Sequence, residues 1–225
     1  DGSTWLDLRP DFSGVGAGLS GNAGAFGAHL DAIVDAGPGA GMQALLDTVA
    51  SMPSAAELEK AFAQLQPTPY AALPAGATIA QLRFNDALLS CRPMTGEHRF
   101  SGETECAWAR ASAWQFTRDA DATAGGFEQE SLEASMGLQK AVGDGSRWFA
   151  GMGLSFEDTQ VDARPYTHSD GQLLQLGGVV KGLFGPFSTA LSFGAGRGSY
   201  DTTRQVPVAG EGVQARSEQD LTLYS

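Results

Sequence analysis

The stretch FEQESLEASMGLQK (residues 127–140) alternates between apolar and polar side chains, and WFAGMGLSF (residues 148–156) repeats the pattern. Successive side chains of an extended strand point to opposite faces, so each stretch predicts a strand with one apolar and one polar or bare face. The polar face of the first stretch holds Gln129 and Glu133. The apolar face of the strands predicted here and further along holds Leu132, Met136, Met152, Leu154, Leu191 and Phe193.

Similar alternation continues along the second half of the chain. We predict strands over 106–117, 127–140, 148–156, 173–184, 187–200 and 213–225, the fourth being the least regular. Polar connections over 119–126, 157–171 and 201–212 alternate with tight ones over 143–147 and 185–186. Long loops on one side and short turns on the other are typical of outer-membrane barrels. The fold class predicted is therefore mainly β, an antiparallel transmembrane β-barrel preceded by short helices.

A soluble β-sandwich also has alternating strands and is the alternative fold. The face opposite the apolar one is rich in small residues, and the chain has 30 Gly in 225 residues, about twice the usual share. A crowded polar lumen suits this composition better than a solvated sheet surface. Aromatic residues near the strand ends predict the girdles that mark a membrane interface, and core aromatics fit the same pattern; they are Trp108, Trp114, Trp148, Phe156 and Phe184.

Charge and motifs exclude several classes of protein. With 26 acidic and 14 basic residues the formal charge is -12, and no basic patch for nucleic acid is visible. HExxH and GxSxG motifs are absent and the three His are scattered, so we predict no cofactor, no metal site and no enzyme active site of those kinds. The chain begins at Asp1 without an apolar signal region, which predicts a mature or excised piece.

Cys91 and Cys106 are the only cysteines. Their spacing fits a disulfide that closes a loop of about 15 residues, and it fits two reduced thiols equally well. The barrel interpretation favours an oxidising compartment and therefore the disulfide.

The first half of the chain predicts helices. Amphipathic patterns run over 23–34, 42–52 and 54–65, and Ser54 with Glu57 has the spacing of a capping box. A further helix over 70–90 mixes polar and apolar residues around its circumference. Such a helix fits the polar interior of a pore, and a loosely packed surface helix fits as well.

The order of these parts resembles the C-terminal region of a type Va autotransporter of Gram-negative bacteria. The resemblance lies in the runs GLSGNAGAFGAHLDAIVDAG, SAAELEKAFAQLQPTPYAAL, CAWARASAWQF and ATAGGFEQESLEASMGLQKAVGDGSRWFAGMGLSFEDTQVD. It implies an outer-membrane translocator with a 12-stranded barrel and a helix in its lumen, which carries an N-terminal passenger to the cell surface. A soluble extracellular β-rich binding or adhesive domain is the alternative function.

The resemblance also implies a division of the chain and a set of partners. Residues 1–22 would end a passenger β-helix, 23–69 form a helical junction, 70–105 the lumen helix and linker, and 106–225 the N-terminal half of the barrel. Ser225 falls in the sixth strand counted, so we expect a chain truncated before the barrel ends. The expected partners are outer-membrane lipid, the barrel-assembly machinery and periplasmic chaperones, with no nucleic acid and a monomeric state.

Some relatives cut their passenger free within the lumen helix, where an Asn side-chain amide attacks its own backbone carbonyl. The resemblance implies Asn85 and Asp86 as the residues of such a cleavage, with Glu133 or Glu130 as a nearby carboxylate. An Asn that only bonds the barrel wall is the alternative. Arg83 is expected to pair with Glu133 in the lumen, and a solvated Arg83 is the alternative.

Overall fold

A computed structural model of the chain describes residues 10–13, 22–65, 68–91, 104–120, 126–143, 147–163, 166–185, 187–209 and 213–225. The helices are α1 (Asn22–Ala36), α2 (Ala40–Ala50), α3 (Ala55–Leu65) and α4 (Ala72–Leu88), with short 3-10 helices at Thr68–Ala71 and Pro207–Ala209. The strands are β1 (Cys106–Arg118), β2 (Phe127–Val142), β3 (Trp148–Ala163), β4 (Thr167–Phe184), β5 (Phe187–Gln205) and β6 (Gln214–Tyr224). None of the helices in these ranges has the length and apolar character needed to cross a membrane.

The six strands form one sheet in the order of the chain, and every neighbouring pair is antiparallel. The tight connections at one end turn at Gly143 and Gly185, whose φ angles of 88° and 62° favour a residue without a Cβ. We call this the turn end, and the opposite edge of the sheet the loop end.

The prediction of long loops at the loop end was wrong in its extent. Strand β3 continues to Ala163 and β4 starts at Thr167, so residues 157–163 and 167–171 are paired strands rather than a loop. Strand β5 likewise runs to Gln205. The cause is that alternation persists beyond the apolar stretch while the outward side chains become polar, as at Asp158 and Asp170. Backbone pairing extends these strands although their outer face no longer carries large apolar groups.

The sheet has an inner face, which contacts α4, and an outer face. Outward side chains form an apolar band that covers 132–138 on β2, 148–156 on β3, 174–184 on β4 and 187–195 on β5. Inward side chains of the same strands are mostly buried although many are polar. A sheet that buries its polar side and exposes its apolar side is inverted relative to a water-soluble protein.

Two of the predicted girdle aromatics lie on the other face. Trp108 and Trp114 point inward and pack against residues of α4 and its surroundings. Trp148, Phe156 and Phe184 are on the outer face as predicted, each more than 40 % exposed. Trp148 and Phe184 meet edge to face with ring centroids 5.3 Å apart.

Helices α1–α3 form a separate unit at the loop end, which we call the helical cap (residues 22–65). Leu30, Leu46, Val49, Leu58 and Phe62 are buried in its core. Helix α1 ends at Gly37 in the left-handed conformation, and Ser54 Oγ accepts the Glu57 amide at 3.3 Å to cap α3. The cap core also takes in Val206 and Val208, which belong to the β5–β6 connection.

Candidate functional site: the inner face and its helix

Helix α4 runs along the inner face from the loop end to the turn end. Its N-terminal part packs with Phe127, Val161 and Tyr200, and its C-terminal part packs with Val179 and Trp108. The side chains that α4 turns to the sheet recur every three or four residues and are all buried, namely Leu73, Ala77, Ala80, Phe84 and Leu88. This spacing places them on one side of the helix, and Leu82 on another side is 64 % exposed.

A row of glycines on the sheet receives this side of the helix. Gly137, Gly153, Gly177 and Gly194 are direct cross-strand partners on β2, β3, β4 and β5. We call them the glycine row. A methyl group at Gly153 or Gly177 would lie 2.8 Å from a Leu88 methyl carbon, and one at Gly194 would lie 2.8 Å from Gln81 Nε2. Bare backbone at Gly153, Gly177 and Gly194 therefore leaves the space that α4 occupies, and bare backbone at Gly137 leaves space for the Trp108 ring.

A charged network joins α4 to the wall near its middle. Arg83 Nε lies 3.7 Å from Glu133 Oε2, and Arg83 Nη2 donates to Ser112 Oγ at 3.1 Å. The Glu133 carboxylate also accepts from Ser155 Oγ at 3.2 Å, and the Arg83 guanidinium lies 5.4 Å from the Trp114 ring centroid. Glu133 is only 3 % exposed, so these donors replace the water that it loses. The structure thus brings together Arg83 and Glu133, as expected from the sequence.

Gln129 occupies a second polar position nearer the loop end. It is 2 % exposed and donates from Nε2 to Ser131 Oγ at 3.1 Å and to Thr159 Oγ1 at 3.0 Å. The hydroxyls of Ser131 and Thr159 are themselves 2.7 Å apart. Gly76 of α4 lies directly against the Gln129 side-chain amide. The network fixes this amide as part of the wall on which the helix rests.

The C-terminal end of α4 is held at the turn end. Lys181 is 1 % exposed, and its Nζ donates to the carbonyl of Leu89 at 3.2 Å, where the helix leaves carbonyls without helical donors. Cys91 and Cys106 are bonded, with their Cα atoms 5.9 Å apart, so the disulfide ties the chain after α4 to the first residue of β1. The predicted disulfide is confirmed.

Asn85 and Asp86 lie inside α4. The Asn85 side-chain oxygen accepts from Ser225 Oγ at 3.4 Å, and its carbonyl accepts the Leu89 amide at 3.2 Å. Asp86 lies 3.8 Å from Arg110 Nη1. Glu130 is exposed on the outer face, away from the helix, and Glu133 is bonded to Arg83 rather than to Asn85. Self-cleavage at Asn85 stays a prediction.

The outer-face residues expected to meet lipid are all exposed. Their exposed fractions run from 43 % for Leu154 to 71 % for Leu191, and the others are Leu132, Met136, Met152 and Phe193. Contact with lipid itself stays a prediction. Sequence reasoning missed the glycine row and Lys181 as parts of the site. The signal available for Lys181 was its shared face with Val179 and Leu183, which marked an inward lysine among apolar residues.

A family model of the autotransporter β-domain matches residues 107–225. The chain belongs to the autotransporter β-domain family. A search among curated proteins found no match. The match begins one residue after β1 starts and covers all six strands, so the autotransporter β-domain of this chain is the sheet described above.

Membership of the autotransporter β-domain family establishes the general class of this protein. Autotransporter β-domains are transmembrane barrels of the Gram-negative outer membrane, and they act as translocators rather than as enzymes. The inverted sheet fits that environment, because a barrel in lipid carries its apolar side chains outside and its polar ones inside. Among the described residues, no group of three or more His, Cys, Asp or Glu side chains is placed to hold a metal ion.

Proposed function

We propose that this chain is the outer-membrane translocator module of an autotransporter, which carries its own N-terminal passenger to the cell surface. One observation supports this above all. Helix α4 crosses the polar inner face from the loop end to the turn end and so connects the helical cap at one end with the start of β1 at the other. A segment threaded in this direction is what remains when the chain before it has moved through the lumen.

We propose the same division of the chain as the resemblance implies. Residues 23–69 form the helical junction, 70–105 the lumen helix with its linker, and 106–225 barrel strands. The passenger end assigned to residues 1–22 lies mostly outside the described residues. Barrel-assembly machinery and periplasmic chaperones are the proposed assembly partners, and outer-membrane lipid is the proposed surrounding of the apolar band.

The lipid contact is tested with two lysine variants on one strand. Leu191→Lys puts a charge in the apolar band, whereas Ser199→Lys adds the same charge on the same face of β5 beyond the band. A lysine in the bilayer core costs about 2–4 kcal/mol and one near the interface about 0–1 kcal/mol. We expect Leu191→Lys alone to reduce the heat-modifiable protein recovered from outer membranes.

Passenger display is tested on the full-length protein in intact cells. Protease treatment or antibody labelling should reach the passenger on the surface, while the strands stay in the detergent-extracted outer membrane. Recovery of the protein in the soluble fraction would instead support an extracellular binding or adhesive domain.

Cleavage between Asn85 and Asp86 is the one catalytic proposal. The bond lies within α4, where the Asn85 carbonyl accepts a helical hydrogen bond, so the cut requires this turn to open. N-terminal sequencing of the mature barrel is the measurement. Asp86 as a new terminus would confirm cleavage, and an intact junction would exclude it.

A further inference from the structure

The helical cap rests on the β5–β6 connection through both apolar and polar contacts. Val206 and Val208 of the connection enter the cap core beside Leu46 and Phe62. The amide of Val208 donates to Gln64 Oε1 at 2.7 Å, and Gln64 is 8 % exposed. The β5–β6 connection is therefore packed into the core of the helical cap and fixes the cap to the sheet.

Arg204 makes a second polar contact of this interface, with a charged donor. It lies on the inward face of β5, is 4 % exposed, and donates from Nη2 to the carbonyl of Ala63 at 3.0 Å. Ala63 lies in the last turn of α3, which ends at Leu65, and carbonyls of a last turn have no helical donor. Arg204 therefore supplies the missing donor, and it puts a positive charge at the negative end of α3.

The same guanidinium also contacts the chain that leads into α4. Its carbon lies 6.0 Å from the ring centroid of Tyr70, two residues before α4 begins. Arg204 is thus shared between the end of α3 and the start of the lumen helix. It joins the cap, the sheet and α4 at one point.

We propose that the helical cap and the β5–β6 connection form an external latch, with Arg204 as its positioning residue, that holds α4 in the lumen from the loop end. At the other end Lys181 and the disulfide hold α4. The latch rests on the proposed function, because only an outward-facing loop end puts the cap on the cell surface. It makes the cap a part of the translocator that stays on the barrel rather than a part of the passenger.

The chain offers a specific probe of the latch. Lys60 in α3 is exposed and is the only Lys or Arg between residues 10 and 82, so trypsin has one site in the cap. A protease needs the surrounding turns of helix to open, and its rate then follows the population of the open state. The experiment treats intact cells that carry the full-length protein with trypsin and quantifies the new N-terminus at Ala61.

We compare Arg204→Ala with Arg216→Ala, which removes an exposed arginine from the neighbouring strand β6. Loss of a hydrogen bond from a charged donor should raise the rate of cleavage at Lys60 about tenfold or more in Arg204→Ala and leave Arg216→Ala at the wild-type rate. Gln64→Ala, which alters the cap and not the sheet, should also raise it. Heat-modifiable barrel is measured in each variant to show that the sheet is assembled.

The outcomes separate the latch from the proposed function. Wild-type rates in both Arg204→Ala and Gln64→Ala, with the barrel assembled, would overturn the latch and leave the translocator untouched. If Lys60 were cut in no variant until the cells are broken, the cap would lie inside the outer membrane, and the proposed direction of the translocator would be overturned.

Discussion

Gly76 of α4 and Gln129 of β2 lie so close together that no methyl group fits between them. Gln129 is buried and bonded to Ser131 and Thr159, so its side chain cannot move aside without breaking two hydrogen bonds. At this point the lumen helix packs against the sheet so closely that even one added methyl group would clash.

Gly76→Ala tests this fit. Alanine normally favours a helix over glycine by about 1 kcal/mol, but here we expect the clash to reverse the sign and to lower the free energy of unfolding by about 1–3 kcal/mol. The measurement is the midpoint temperature of heat modifiability. Gly41→Ala in α2 is the control, because its new methyl group meets nothing within 4 Å. A midpoint temperature for Gly76→Ala that equals or exceeds that of Gly41→Ala would contradict the prediction.

The Arg83–Glu133 pair should behave as a coupled unit. Arg83→Gln leaves a buried carboxylate without its cation, which we expect to cost about 1–3 kcal/mol of the free energy of unfolding. Glu133→Gln in the same chain should restore part of that loss, with a coupling free energy of about 0.5–3 kcal/mol. The free energy of unfolding is measured by urea unfolding of the detergent-solubilised wild type, of each single variant and of the double variant. Purely additive losses would show that the two side chains do not interact.

Removal of the Cys91–Cys106 disulfide should destabilise the barrel. The bond closes a loop with a sequence separation of 15, for which the chain-entropy estimate is about 3 kcal/mol. Tryptic peptides 84–99 and 100–110 should be recovered as one linked species until reductant is added. Cys91→Ser and the double variant Cys91→Ser/Cys106→Ser should lose the same stability. A melting temperature that reductant does not change would argue against a stabilising role.

The β3–β4 hairpin should weaken as the pH rises. His168 lies on the outer face beyond the apolar band, with Nδ1 2.7 Å from Asp162 and Nε2 3.1 Å from Asp170. The hydrogen bond to Asp162 raises the pKa of His168 above its ordinary value of 6.5. Protonated His168 thus stabilises the hairpin fully below that ordinary value, and the stabilisation is lost as the pH rises through the raised pKa.

Because His168 is half exposed, the change should be less than about 1 kcal/mol. Hydrogen exchange of hairpin amides, corrected for its intrinsic pH dependence, should show lower protection at about pH 8.5 than at about pH 6. His168→Gln should remove the difference, and His29→Gln in α1 should keep it. A pH response that survives His168→Gln would point to another group.

The faces of the strands were predictable from single residues, whereas the match between helix and wall was not. Leu132 and Gln129 lie an odd number of positions apart in β2, and this spacing alone puts them on opposite faces of the sheet. The prediction of Trp108 and Trp114 as girdle residues was wrong. Both lie an even number of positions from the polar Arg110 and Ser112 and therefore share their face of β1. The position along the strand fixes the face of these side chains, and aromatic character does not.

The glycine row could not be recognised before the register was known. Gly153 and Gly177 are 24 positions apart in the chain and become neighbours only through the pairing of β3 with β4. The contact of Arg204 with Ala63 joins residues 141 positions apart and has no local signal at all. What the sequence specifies locally is alternation, and what it leaves open is the alignment of one strand with the next.

Because of that alignment, the glycine row makes correct assembly of the sheet depend on the strand register. A slip of β4 by two residues would keep every side chain on its proper face, yet it would bring Gln175 or Val179 to the place where Gly177 now admits Leu88. Such a mispaired sheet could form its backbone bonds but could not accommodate α4. The helix thus discriminates correct from shifted pairing, and a barrel whose β3–β4 register is shifted by two residues would be recognised by the absence of α4 from its lumen.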